Sequence, residues 1–260
     1  MVTAGIRRVA GIGFGLFTHA LFLLTVWYLF WFLKGPGRAA EGGVWWWDSL
    51  LALQFAVVHS ALLLPAMRQR LSRWIASEFY GLFYCVATCA GLLVLFAGWR
   101  NSPVVIWELR GAAGTVVTWA FYASWIALVY SLSLTGLGYQ TGLTPWLYWL
   151  RGQPVPRREF QPRGAYHLLR HPVYLSFLGL VWFTPTMTLD HAVLTGIWTA
   201  YIFLGSHLKD RRLVYYLGDT YRRYQTRVAG YPFFFGPLGK LRPRPKAVAA
   251  AHETSTPVAA

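Results

Sequence analysis

Residues 9–33 read VAGIGFGLFTHALFLLTVWYLFWFL, a run without one formal charge. A helix that crosses the ~30 Å hydrocarbon layer of a bilayer needs ~20 mostly apolar residues. This run exceeds that length, and it is too long, with no small-residue cleavage site, to serve as the core of a secretory signal. Five further segments approach the same pattern: 45–65 with Asp48 near its start, 79–99, the first half of 111–150, 172–189 and 191–208. Only Asp190 parts the last two, so they read as a tight helical hairpin. The stretch 135–144 is rich in Gly and Thr and predicts a broken or re-entrant segment. The expected fold is all-α, a polytopic membrane helical bundle of about six transmembrane helices.

Composition points the same way. The 260-residue chain is 56% hydrophobic and 13% charged, with fourteen tryptophans. A soluble domain of this size carries about 25% charged residues. The net charge of +15 would suit nucleic acid, yet the basic residues lie in short loops between apolar runs and no nucleic-acid motif accompanies them. With the N-terminus placed in the cytoplasm, twenty Lys and Arg fall inside and four (Lys34, Arg38, Arg100, Arg110) fall outside. That is the asymmetry of the positive-inside rule, and it predicts a cytoplasmic C-terminus and attraction to anionic lipid headgroups. Trp27, Trp31 and Trp45 to Trp47 then form an outer aromatic belt. Cys85 and Cys89 lie four apart within an apolar run, and without histidine or further cysteine beside them they make packing residues rather than a metal site.

After the sixth span, residues 209–228 place Leu213, Leu217, Tyr221, Tyr224 and Val228 on one helical face and arginines elsewhere. This predicts a C-terminal amphipathic helix on the inner membrane surface. Residues 1–240 form a single integral membrane domain, and the Pro, Ala and Ser/Thr-rich stretch 241–260 predicts a disordered cytoplasmic tail.

The run Arg170-His171-Pro172-Val173-Tyr174 sits at the inner start of span five. Pro172 suits a first helical position, where no amide donor is required. Span six returns to the same face near Lys209 and Asp210, so the hairpin gathers Arg170, His171, Tyr174 and Asp210 at the boundary with the cytosol. His59, in the inner half of span two, faces the same region or makes an interhelical hydrogen bond. Paired with His19 or His207 it would suit haem, but no pattern of facing histidines supports that.

The motif Gly164-x-Tyr166-x-x-x-Arg170-His171-Pro172-x-Tyr174, with the later Gly218-x-x-Tyr221-x-x-Tyr224-x-x-x-Val228, resembles the isoprenylcysteine carboxyl methyltransferase superfamily. Thr184-Pro185-Thr186-Met187-Thr188 with His191, His59-Ser60, Trp99 through Trp107 and Leu150-Arg151-Gly152-Gln153-Pro154 narrow the likeness to its branch of NnrU-type proteins and methanethiol S-methyltransferases. The likeness spans roughly 50–232. It implies a methyltransferase of the bacterial inner membrane that takes S-adenosylmethionine from the cytosol and a small thiol as acceptor. Arg170, His171, Tyr174 and Asp210 would then bind the cofactor, and His59 and Tyr221 would line the cavity. Active members of the superfamily carry two adjacent glutamates where this chain has Lys209-Asp210, and a glycine where it has Ser176. The alternative implied by that departure is a degenerate NnrU-type protein that keeps the fold without the activity.

Overall fold

The computed structural model describes residues 2–35, 45–156 and 159–242. Arg38, Arg157, Arg158 and most of the tail read above as disordered lie outside the described residues. Among the described residues four helices are long and apolar enough to cross a membrane: α1 (Val2–Lys34), α2 (Trp45–Leu63), α4 (Ser77–Gly98) and α5 (Gly111–Thr135), with the short α3 (Pro65–Leu71) between α2 and α4. They make the chain an integral membrane protein. Their outward faces confirm the solvent they are built for, since Leu23, Trp27, Val57, Trp119 and Ile126 are exposed on the bundle surface. Patches of this kind do not survive on a water-soluble monomer.

The broken segment expected at 135–144 is present. Gly136 and Gly142 adopt left-handed backbone, with φ of 77° and 80°, and between and after them lie the short α6 (Leu137–Gln140) and α7 (Leu143–Leu150). α7 turns back against α1, where the Trp146 indole N–H donates to the Gly11 carbonyl at 2.9 Å.

Two expectations are corrected. The run 172–189 is not one helix: α8 (Pro172–Trp182) has eleven residues and stops ahead of Pro185, whose ring disfavours helical backbone in the residue before it. Thr186–Thr188 instead form strand β2, antiparallel to β1 (Val105–Glu108), with Val105 opposite Thr188 and Glu108 opposite Thr186. The hairpin is therefore hinged by a strand rather than by Asp190 alone. The second correction concerns 209–228. α9 (Leu189–Leu217) runs 29 residues without a break, a length of ~44 Å that exceeds the hydrocarbon layer. It ends at Gly218, and a separate α10 (Asp219–Arg227) folds back. Tyr221 and Tyr224 are buried against the protein, not laid on lipid.

The core joins Leu29 and Leu33 of α1, Leu51 and Ala52 of α2, Leu92 and Leu95 of α4, Phe121 and Leu128 of α5, Leu180 and Val181 of α8, and Leu194 and Trp198 of α9. α2 packs against α4 and α9, and α5 packs against α8. This arrangement leaves a tryptophan-rich end, near Trp45 to Trp47 and the two strands, and an arginine-rich end where α8 begins and α9 finishes.

Candidate functional site

At the arginine-rich end Pro172 opens α8 and His171 is its cap residue. Arg170, one residue earlier, is extended beside Ala229, whose carbonyl accepts from the Arg170 amide at 2.8 Å. The residue is 1% exposed. The guanidinium donates from Nη1 to the carbonyls of Gln225 and Val228, both at 3.1 Å, and from Nη2 to Pro237 at 2.9 Å. The same Nη2 lies 3.0 Å from Asp210 Oδ2. Arg170 thus fastens the C-terminal segment to the start of α8 through its two terminal nitrogens, while Nε completes no hydrogen bond.

Asp210 is equally committed. Its Oδ1 accepts from the Tyr221 hydroxyl at 2.5 Å, and Oδ2 faces both Arg170 and His171. Burial alone would raise this carboxyl, but the His171 contact, the Arg170 charge and the Tyr221 hydroxyl hold it below the usual carboxylate value.

His171 is fully buried. Its Nε2 approaches Asp210 Oδ2 at 3.3 Å, but the approach is misaligned and neither ring nitrogen completes a hydrogen bond. The ring stands edge-on to Tyr174, with centroids 5.6 Å apart, and leans on Tyr231 at 5.3 Å. Burial lowers its affinity for a proton, and the Lys209 and Arg170 charges add to this against the pull of Asp210.

Lys209 turns inward. Its ammonium sits 5.7 Å from the Tyr166 ring and 5.3 Å from the Tyr174 ring, contacts of cation–π type. Among the described residues it has no acidic partner within ion-pair distance, because Asp210 is taken by Arg170 and His171. The residue as a whole is half-buried. Loss of water around its ammonium, opposed by Asp210 and assisted by Arg212, pushes it down to about 8.

A second polar cluster adjoins the first. Tyr84 of α4 meets His59 Nε2 at 2.7 Å, and Thr88 approaches His59 Nδ1 at 3.3 Å. Ser60 donates to the Tyr201 hydroxyl at 3.4 Å. His59 is therefore an interhelical hydrogen-bonding residue. The rings of Tyr174 and Tyr201 both flank Gly205, which brings the His59 group up to the Lys209 group.

The structure thus gathers Arg170, His171, Tyr174, Asp210 and Tyr221 in one place, with His59 one layer deeper. Sequence reading missed Tyr166 and Tyr201 as ring neighbours, and it left open where Lys209 points. A groove of about 620 Å³ runs between α5 and α8, lined by Ala120, Ala123, Ala127, Ser176 and Gly179. It touches none of the four residues expected to bind cofactor.

Comparison with known proteins finds relatives of this chain by sequence. The chain is 33% identical over 177 residues to the methanethiol S-methyltransferase of Mycobacterium tuberculosis, covering 67% of this chain and 72% of that one. It is 30% identical over 233 residues to methanethiol S-methyltransferase 1 of Bradyrhizobium diazoefficiens, covering 83% and 79%. Nurim of Rattus norvegicus is 28% identical over 190 residues, covering 69% and 71%. No protein-family model matches the chain, and no solved structure matches it.

Proposed function

Because the chain belongs to the family that contains the methanethiol S-methyltransferases and nurim, within the isoprenylcysteine carboxyl methyltransferase superfamily, we propose that it is a membrane-embedded S-adenosylmethionine-dependent methyltransferase with a small thiol such as methanethiol as acceptor. We place it in the inner membrane of a bacterium with six spans, the short α8 and the long α9 being the last two, and with both termini in the cytoplasm. The twenty-to-four division of Lys and Arg supports that orientation.

The observation that carries the catalytic reading is Lys209, an ammonium turned toward two tyrosine rings with no acidic partner among the described residues. The residues around it suit the cofactor. His171 has two buried nitrogens that complete no hydrogen bond, and buried polar atoms in that state await a partner. The faces of Tyr166 and Tyr174 attract a sulfonium as they attract an ammonium. When bound, the cofactor supplies a methyl group on a cationic sulfur. His171, Tyr166 and Tyr174 hold and orient it, and Lys209 in its amine form takes the proton from the acceptor thiol, leaving a thiolate. Thiolate, not thiol, is the nucleophile. Lys209 then returns the proton to water. Proximity and orientation, which rigid helix ends provide, contribute the larger part of such a displacement.

One observation favours the second reading, a catalytically degenerate NnrU-type protein. Arg170 and Asp210, both expected to hold cofactor, are committed to each other and to backbone carbonyls. The experiment that separates the readings is formation of dimethyl sulfide from methanethiol and S-adenosylmethionine by the purified full-length protein. Activity lost in Lys209→Met and retained in an Asp219→Asn control supports the enzyme, and absence of product from the folded parent protein supports the alternative.

A further inference from the structure

The segment after α10 is a built loop rather than a loose end. The Tyr231 amide donates to the Leu238 carbonyl at 2.9 Å, and the Gly230 amide to Gly239 at 3.3 Å. The two sides of this neck run so close that a Cβ on Gly230 would clash with the Leu238 oxygen, and one on Gly239 with the Phe234 oxygen. Only glycine fits at either place. Arg170 holds the Pro237 carbonyl from below, and Tyr231 is buried against His171 and Phe203.

What this neck presents is three phenylalanines. Phe234 lays one side of its ring against the protein, 5.4 Å from Phe203 and 5.8 Å from Tyr231, and leaves the rest exposed. Phe233 and Phe235 point away from the protein and are 97% and 92% exposed. Phe233 also has a φ of 65°, a left-handed conformation that a bulky L-residue adopts at a cost. A closed, glycine-pinned loop that holds a strained phenylalanine out into its surroundings suggests use rather than accident.

The depth of the loop identifies the surroundings. Phe203 belongs to the apolar part of α9, six residues before Lys209, which is ~9 Å further along the axis. Phe234, packed on Phe203, lies on the hydrocarbon side of the basic end. The residues that follow, Lys240 and Arg242, are exposed and supply cations at headgroup level, where long basic side chains settle. We propose that the loop 231–238 dips into the bilayer leaflet at the arginine-rich end, with Phe233 and Phe235 as the inserted side chains and lipid acyl chains as their partner. The loop then anchors to lipid the segment that covers His171.

The test uses full-length protein in vesicles containing phosphatidylglycerol, with Cys85→Ala and Cys89→Ala to leave one label site. A nitroxide on Phe233→Cys should collide with dissolved oxygen several-fold more often than with a water-soluble nickel chelate, and one on Asp219→Cys should show the reverse. A Phe233 label that favours nickel as the Asp219 label does would overturn the proposal in favour of a loop in water. One that is shielded from both reagents would overturn it in favour of a protein partner or second copy. The parent chain gives an independent reading: a phospholipid with a photoactivatable group on its acyl chain should cross-link within 231–239, and cross-links only elsewhere on well-labelled protein would contradict insertion.

Discussion

Both ends of the bundle bury carboxylates, and they use them in opposite ways. At the tryptophan-rich end Asp190 accepts from the Ser102 amide and the Trp99 indole, each at 3.0 Å, and Asp48 accepts from the Arg100 amide at 3.0 Å. These partners carry no charge and do not titrate, so the acids act as fasteners between α2, α9 and the loop after α4. At the arginine-rich end Asp210 faces a guanidinium, an imidazole and a phenol. That arrangement leaves over a cation, Lys209, and two imidazole nitrogens that complete no hydrogen bond. Asp48 Oδ2 and the Thr188 hydroxyl at the tryptophan-rich end also complete no hydrogen bond, so neither a buried acid nor an unspent polar atom is itself a mark of function. What sets the arginine-rich end apart is a cation, Lys209, with no acidic partner among the described residues.

The largest effect expected from this contrast is on stability. Arg170→Met leaves the Asp210 carboxylate and three carbonyls without their donor and should cost ~3–5 kcal/mol, the range for breaking one side of a buried pair. Asp190→Asn keeps one acceptor oxygen and should cost ~1–3 kcal/mol. Thermal unfolding in one detergent would compare them, and equal losses would break the distinction between the two ends.

Activity should separate the ends more sharply than stability does. Lys209→Met should lower thiol methylation by ~100-fold, the lower range for loss of a general base, with little change in unfolding temperature. In the parent protein the rate should rise as pH passes through about 8, because the amine and not the ammonium accepts the proton. Burial sets this value low, with Asp210 holding it up and Arg212 pressing it further down. A profile flat across that range would remove Lys209 from the chemistry.

A smaller effect belongs to His171. Its folded-state pKa lies below the unfolded value of ~6.5, so the unfolded chain takes up the proton first. The protein should lose stability as pH falls below ~6.5, and His171→Phe should make that slope shallower. Melting temperatures across the acid range provide the measurement.

Much of this was legible in residues and some was not. The four long spans follow from uninterrupted apolar runs such as 9–33, and the break at 135–144 from its glycines. Pro172 marked the start of α8 because proline belongs there. The stop of α8 was equally available in Pro185, but the apolar residues on both sides masked it, and a three-residue strand has too little pattern to announce itself. Tyr221 and Tyr224 looked like the lipid face of an amphipathic helix, since periodicity reports that a face is apolar without saying what covers it. The role of Arg170 was hidden for a different reason. Its partners are carbonyls of residues 225, 228 and 237, and carbonyls carry no sequence signal.

The most direct test of the account is calorimetric titration of the folded, detergent-solubilised protein with S-adenosylhomocysteine. The account predicts binding to the parent protein, weakened by ~10-fold or more in His171→Ala through loss of hydrogen bonds, and unchanged in Asp190→Asn at the far end. No binding at millimolar ligand by protein whose unfolding transition is intact would contradict it.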